Sequence, residues 1–199
     1  MNTTLQSKLI FSLVLYCFNF SNGMAQVNKE AEFLSPGGIK KLKEGALEKT
    51  RSLENYIITI TNKQLTSDVR INSVDLAVKL FISQEKIVEV SSKNREKIET
   101  YTIRKYLNRI RVLGYDKVSI RWYDIHYVSE FKQGIDGKFY AVVTIFQKFS
   151  GYQGENIIYE DITQKNIEIV VEKIIRRIGD KEIAEWEVLL GDISVVETK

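Results

Sequence analysis

Four segments of this chain, 117–128, 139–150, 157–174 and 184–197, are rich in Val, Ile, Tyr, Phe and Trp. The later ones are separated by Gly134-Ile135-Asp136-Gly137, Gly151-Tyr152-Gln153-Gly154 and Gly179-Asp180-Lys181. β-Branched and aromatic side chains suit a pleated, half-buried surface, and glycine-containing gaps mark turns. Parallel neighbours need a crossover of about a dozen residues or more, so gaps this short leave only antiparallel pairing. The C-terminal half is therefore expected to be a meander. One of its faces must be covered, and the residues before Gly114 are what the chain has to cover it with.

Those residues read as helices. Leu42, Ala46, Leu53, Ile57 and Ile60 recur at helical spacing with Lys and Glu between them, which predicts an amphipathic helix over 38–61. The polar stretch 26–37 ends in Ser35-Pro36-Gly37-Gly38 and reads as a linker and helix start. Asn72-Ser73 offer a cap to a second helix with Val74, Ala77, Val78 and Phe81 on one face. Lys86-Ile87-Val88-Glu89-Val90 is a short strand. A third helix is expected over 96–113, with Ile103, Tyr106, Leu107, Ile110 and Leu113 as its stripe and Gly114 as its stop. The layout is α+β: three N-terminal helices on one face of a curved antiparallel sheet of four long strands, plus a short extra strand. With no repeat or low-complexity tract, residues 38–199 read as one domain.

The amino terminus reads as an address. Lys8 precedes the apolar run Leu9–Phe18, and Gly23 and Ala25 place small residues at −3 and −1 of a cut after residue 25. The run is shorter than the ~20 residues a spanning helix needs. Tyr16 before Cys17 disfavours a lipid-attachment signal. Residues 1–25 hold the one Cys and both Met, so a mature chain from Gln26 has neither. The expected product is exported, periplasmic or secreted, with no stable membrane insertion and no disulfide. It offers no thiolate nucleophile or Cys-based zinc site, and one histidine excludes a multi-His metal cluster.

The helix stripe, the phrase Leu80-Phe81 running into Lys86–Val90, the third stripe and the long strands from Val118-Ser119-Ile120-Arg121-Trp122 have a familiar order. Over residues 38–197 the chain resembles the nuclear transport factor 2-like, or cystatin-like, superfamily in its exported bacterial type. The resemblance is one of architecture and implies a cone-shaped fold with a pocket between the sheet's concave face and the helices. It also implies possible dimerisation through the sheet, and members that are isomerases, hydrolases or non-catalytic binders. Isomerases of this shape pair an Asp base with a Tyr and a neutral Asp, and no Tyr–Asp pair stands here at the matching spacing.

Alternation along 118–126 sends Val118, Ile120, Trp122, Asp124 and His126 to one face, and Ser119, Arg121, Tyr123, Ile125 and Tyr127 to the other. Asp124 beside His126 would hold the imidazole in one tautomer and raise its basicity, the general-base half of a catalytic site. A frayed strand end would instead leave the pair in solvent. Trp122, Trp186 and Asp192 are further pocket candidates, with Asp192 read either as a partner for Asp124 or as a bulge residue after Gly191. Tyr123 and Tyr140 on the outer sheet face suit a partner surface.

Residues 93–111 carry seven basic side chains against Glu96 and Glu99, a net of +5, and residues 180–199 a net of −4. The basic stretch reads as the solvated face of a helix rather than a nucleic-acid site, with an internal or dimer contact to the acidic tail as another use. No Walker loop, dinucleotide turn, His-Glu-x-x-His or Gly-x-Ser-x-Gly occurs. The expected function is a binding or interaction module, without cofactor or metal, for a small ligand or an envelope protein. The alternative is a small cofactor-free hydrolase or isomerase with Asp124 and His126 as its acid–base pair.

Overall fold

The computed structural model describes residues 35–125 and 128–199. By its internal contacts the chain divides into two compact units, Met1–Leu42 and Lys43–Lys199. In the first, the described residues open helix α1 (Pro36–Thr61). Pro36 stands at a position where its missing N–H costs no helical bond, and Ser35 Oγ accepts the Gly38 amide at 3.1 Å. The signal reading, and the linker up to residue 34, lie outside the described residues.

The second unit is α+β. It holds the rest of α1, α2 (Ser67–Val78), α3 (Ile103–Arg111) and the strands β1 (Ile87–Ser92), β2 (Arg95–Thr102), β3 (Lys117–Tyr123), β4 (Lys132–Gln133), β5 (Phe139–Gln153), β6 (Asn156–Ile178) and β7 (Lys181–Thr198). They form one open, mostly antiparallel sheet in the order β2-β1-β7-β6-β5-β3, with β4 added to β5. Gly154 and Gly179 turn β5 into β6 and β6 into β7 at positive φ, which glycine adopts without steric cost. β1 joins beside β7 in parallel, at Val88↔Ile193.

Three expectations about the elements change. α2 starts at Ser67 behind Thr66, whose hydroxyl accepts the Val69 amide, and not at Asn72-Ser73. Ser73 lies inside the helix with its hydroxyl turned back onto the Val69 carbonyl at 2.8 Å, while Phe81 lies past the helix end and bridges to Leu190. The expected helix over 96–113 is half strand: 95–102 form β2, hairpinned on β1 from Ile87↔Thr102 to Ser92↔Arg95, and α3 begins only at Ile103. Glu96, Lys97 and Glu99 favour helix locally. β2, however, is a sheet edge, where charged side chains replace apolar alternation and keep other strands away. Finally, β3 stops at Tyr123, short of the expected 128.

Leu53, Ile57 and Ile60 of α1 and Ile103 and Leu107 of α3 are fully buried, as are Val143, Ile145, Ile167, Ile169 and Leu190 of the sheet. Helices and sheet thus share one core on the inner sheet face. The edge strand β3 is closed by α1, where Glu54 Oε1 accepts the Trp122 amide at 2.8 Å. No helix among the described residues is long and apolar enough to cross a membrane.

Gly191 marks the place where β7 leaves register with β6, between Ile167 and Ile169. A Cβ there would stand 2.8 Å from Glu168 Cβ and 2.1 Å from its Oε2. Gly191→Ala is therefore expected to cost about 1–3 kcal/mol, read as a lower urea midpoint with an unchanged slope.

Candidate functional site

The inner row of β6 changes character along its length. From the distal end it reads Val171, Ile169 and Ile167, then Lys165, Thr163, Asp161 and Tyr159, because side chains two apart share a face. The apolar half is fully buried. Over the polar half stand Tyr106 and Ile110 of α3 and Leu113 just past its end, flanked by the β1–β2 turn and by Tyr115, and these line a cavity of about 390 Å³. Its size suits a small organic molecule.

Each wall has a local cause. Ile110, Leu113, Ile120 and Phe149 make an apolar side. Tyr115 folds in because Gly151 has no side chain: a Cβ there would lie 2.5 Å from the ring. Tyr115 then meets Phe149 edge-on, with centroids 5.7 Å apart. At the rim, Arg95 and Arg109 are held by one carboxylate, Glu99, at 2.6 and 3.7 Å. The Tyr101 hydroxyl also donates to Glu99, and with Arg95 it draws that carboxyl below its ordinary value.

The floor carries the unusual electrostatics. Lys165 is 3% exposed; its Nζ donates to the Glu89 carbonyl at 2.8 Å and lies 5.8 Å from the Tyr106 ring centroid. Burial pulls this ammonium down to about 8, against the opposing attraction of Asp161 and Glu89. Asp161 is 6% exposed and accepts from the Tyr159 hydroxyl, which is in turn 2.7 Å from Ser92 Oγ. Since the Tyr159 proton goes to Asp161, Ser92 is the donor in that second bond. Burial raises the Asp161 carboxyl above its ordinary value despite the Tyr159 bond and the Lys165 charge. Both groups are pushed toward their neutral forms. Beside them Gln147 Oε1 accepts from Trp122 Nε1 at 3.2 Å. Among the described residues no three His, Cys, Asp or Glu side chains are grouped to hold a metal.

The residues singled out from the sequence are spread over the sheet. Trp122 is on the inner face as expected, one side chain behind the cavity through Gln147. Asp124 does not continue that inward row: it takes φ 58 after the end of β3, a conformation Asp tolerates. It borders a hollow of about 250 Å³ with Tyr123, Phe146, Ile162 and Gln164, on the outer face. His126 lies outside the described residues. Trp186 packs edge-on against Phe139 at 5.5 Å, away from the cavity lining. Asp192 is a bulge residue after Gly191, accepting the Ile87 amide at 2.7 Å and Lys86 Nζ at 3.3 Å. Tyr123 and Tyr140 are on the outer face. Tyr123 stacks on Phe146 at 5.6 Å; the Tyr140 hydroxyl donates to Asp136, which pushes it up to about 12.

The basic stretch finds its ion pairs locally, Arg95 and Arg109 with Glu99 and Arg104 with Asp75, rather than in residues 180–199. Lys165, Asp161 and Tyr106, the chemically distinctive cavity groups, escape the sequence reading. A signal for two of them exists: Asp161, Thr163 and Lys165 continue the alternation of Ile167, Ile169 and Val171, so polar groups occupy a buried row. No family model, curated protein or solved structure matches the chain, so the site is read from its own residues.

Lys165 has a consequence for stability. Its folded value of about 8 lies below the ordinary 10.5, so between these values the unfolded chain binds more protons and stability rises with pH. Lys165→Met removes a penalty on the order of 3 kcal/mol that is fully present near neutral pH. The variant should therefore melt above the parent at about pH 7, with the gain shrinking toward about pH 10. An equal gain at both would show that the ammonium is not depressed.

Proposed function

We propose that this protein is an exported, non-catalytic binding module that takes a small molecule into the cavity between α3 and the inner sheet face. The observation that carries this reading is an amine and a carboxyl, both withdrawn from water, opening into an apolar-walled cavity. Burying either group costs stability, and a fold alone has no use for that cost; a site that recognises a polar head does. The nuclear transport factor 2-like reading is supported by the sequence of elements and by the position of this cavity between sheet and helix. Export is supported by residues 1–25 of the sequence. The hydrolase or isomerase alternative draws no support from Asp124, which borders the outer hollow.

The test is to block the cavity without touching the outer face. Leu113 is half-buried at the cavity side, so Leu113→Trp should fill the space and leave the core intact. Small amphiphiles at about a hundred times their Kd should raise the parent's melting point, equivalent to about 2.7 kcal/mol. They should leave Leu113→Trp unmoved. Tyr123→Ala on the outer face, and Asp124→Asn with His126→Gln, should respond like the parent. A ligand shift lost in Tyr123→Ala and kept in Leu113→Trp would move the function to the outer sheet face.

A further inference from the structure

Charge does not balance around Lys165. An ammonium has three N–H donors, and this one spends a single donor on a neutral carbonyl, that of Glu89. Among the described residues, no carboxylate pairs with it within 4.0 Å. Removing such a charge from water without a partner is costly, and a direct counter-ion is the usual remedy.

The neighbours do not supply one. Glu89 turns its carboxylate to the Val195 amide at 2.7 Å, so its backbone carbonyl is what hydrogen-bonds Lys165 and its charge acts only from a distance. Asp161 stands four residues along the same face of β6, about 13 Å away at the backbone, and is engaged by Tyr159. From α3, Tyr106 presents its ring, and its hydroxyl makes no hydrogen bond among the described residues. Arg109 at the rim is engaged by Glu99; from the β1–β2 turn, Arg95 is held by Glu99 and Lys93 rests over the Tyr159 ring at 5.4 Å. Two N–H donors of a buried cation thus remain, in a cavity whose other side is Ile110, Leu113, Ile120 and Phe149.

Resting on the cavity reading above, we infer that the ligand is a small amphipathic monocarboxylic acid, its carboxylate on Lys165 and its tail along the Ile110–Phe149 wall. The ion pair replaces the missing counter-charge, and a carboxylate presents two acceptors to the two remaining donors. A diacid of equal length would have to bring its second carboxylate against the apolar Ile110–Phe149 wall, which disfavours it. Binding holds the ammonium in its charged form, so the carboxylate preference should decline as pH rises above the free amine's value of about 8.

The experiment titrates the full chain calorimetrically with octanoate, with octanamide as the uncharged equivalent, and with suberate as the diacid. At neutral pH octanoate should bind about tenfold or more tighter than octanamide, and suberate more weakly than octanoate. In Lys165→Met the octanoate preference should vanish while octanamide still binds. In the parent the same preference should fall between about pH 8 and about pH 10, which tests the idea even if the variant does not fold. Octanamide binding as tightly as octanoate overturns the carboxylate inference and leaves the cavity reading standing. A preference that survives in Lys165→Met, or is flat with pH, also overturns it. If neither octanoate nor octanamide binds, both readings fall together.

Discussion

The structure depends on the register of β6. This strand is 23 residues long and is paired on both sides, with β5 from Phe139↔Val171 to Gln153↔Asn156 and with β7 from Thr163↔Thr198 to Ile178↔Lys181. A slip of one residue would turn Ile167, Ile169 and Val171 to solvent and bring Glu168 and Glu172 into the core. Two glycine turns and register shifts at Gly151/Tyr152, Gln164/Lys165 and Ile167/Ile169 accommodate the mismatches, and from Tyr159 to Val171 every second side chain of β6 keeps to the inner face. Everything placed in the cavity from the sheet inherits its position from this ladder.

The same register that builds the core also exposes its cost. Ile167 and Ile169 are fully buried and stabilise the fold by removing apolar surface from water. The next inward positions, Lys165, Thr163 and Asp161, are also buried and carry polar groups. They are tolerated because the Glu89 carbonyl, the Thr198 hydroxyl and the Tyr159 hydroxyl supply hydrogen bonds to Lys165, Thr163 and Asp161, and because α3 stands off from the sheet there. Rigid strands hold these groups in place, whereas a loop would let them move to water. The site is therefore an interruption of the core, made by side-chain choice on an unbroken backbone.

Much of this architecture was legible without coordinates. The four β-type segments and their glycine turns specified antiparallel neighbours, because no short connection permits anything else. The stripe from Leu53 to Ile60 specified a helix with one buried face. Local patterns erred where tertiary pairing overruled composition. Residues 95–102 are charged enough to pass for helix, and they become strand because β1 offers them a partner on an exposed edge. Asp124 was expected on the inner row because alternation was carried past the end of a strand, and its own positive φ takes it off that row.

By itself the sequence determined the α+β class, the antiparallel order of the long C-terminal strands and the buried faces of its helices, all consequences of side-chain period and turn length. Only the tertiary structure decided which residues share a cavity. Tyr106, Ile120, Gln147 and Lys165 come from three strands and a helix, and no spacing along the chain encodes their meeting. It also decided that, among the described residues, no carboxylate pairs with Lys165, since that depends on where Glu89 and Asp161 turn their side chains. Periodicity tells which face a side chain occupies; what lies opposite that face is set by packing between elements far apart in the chain.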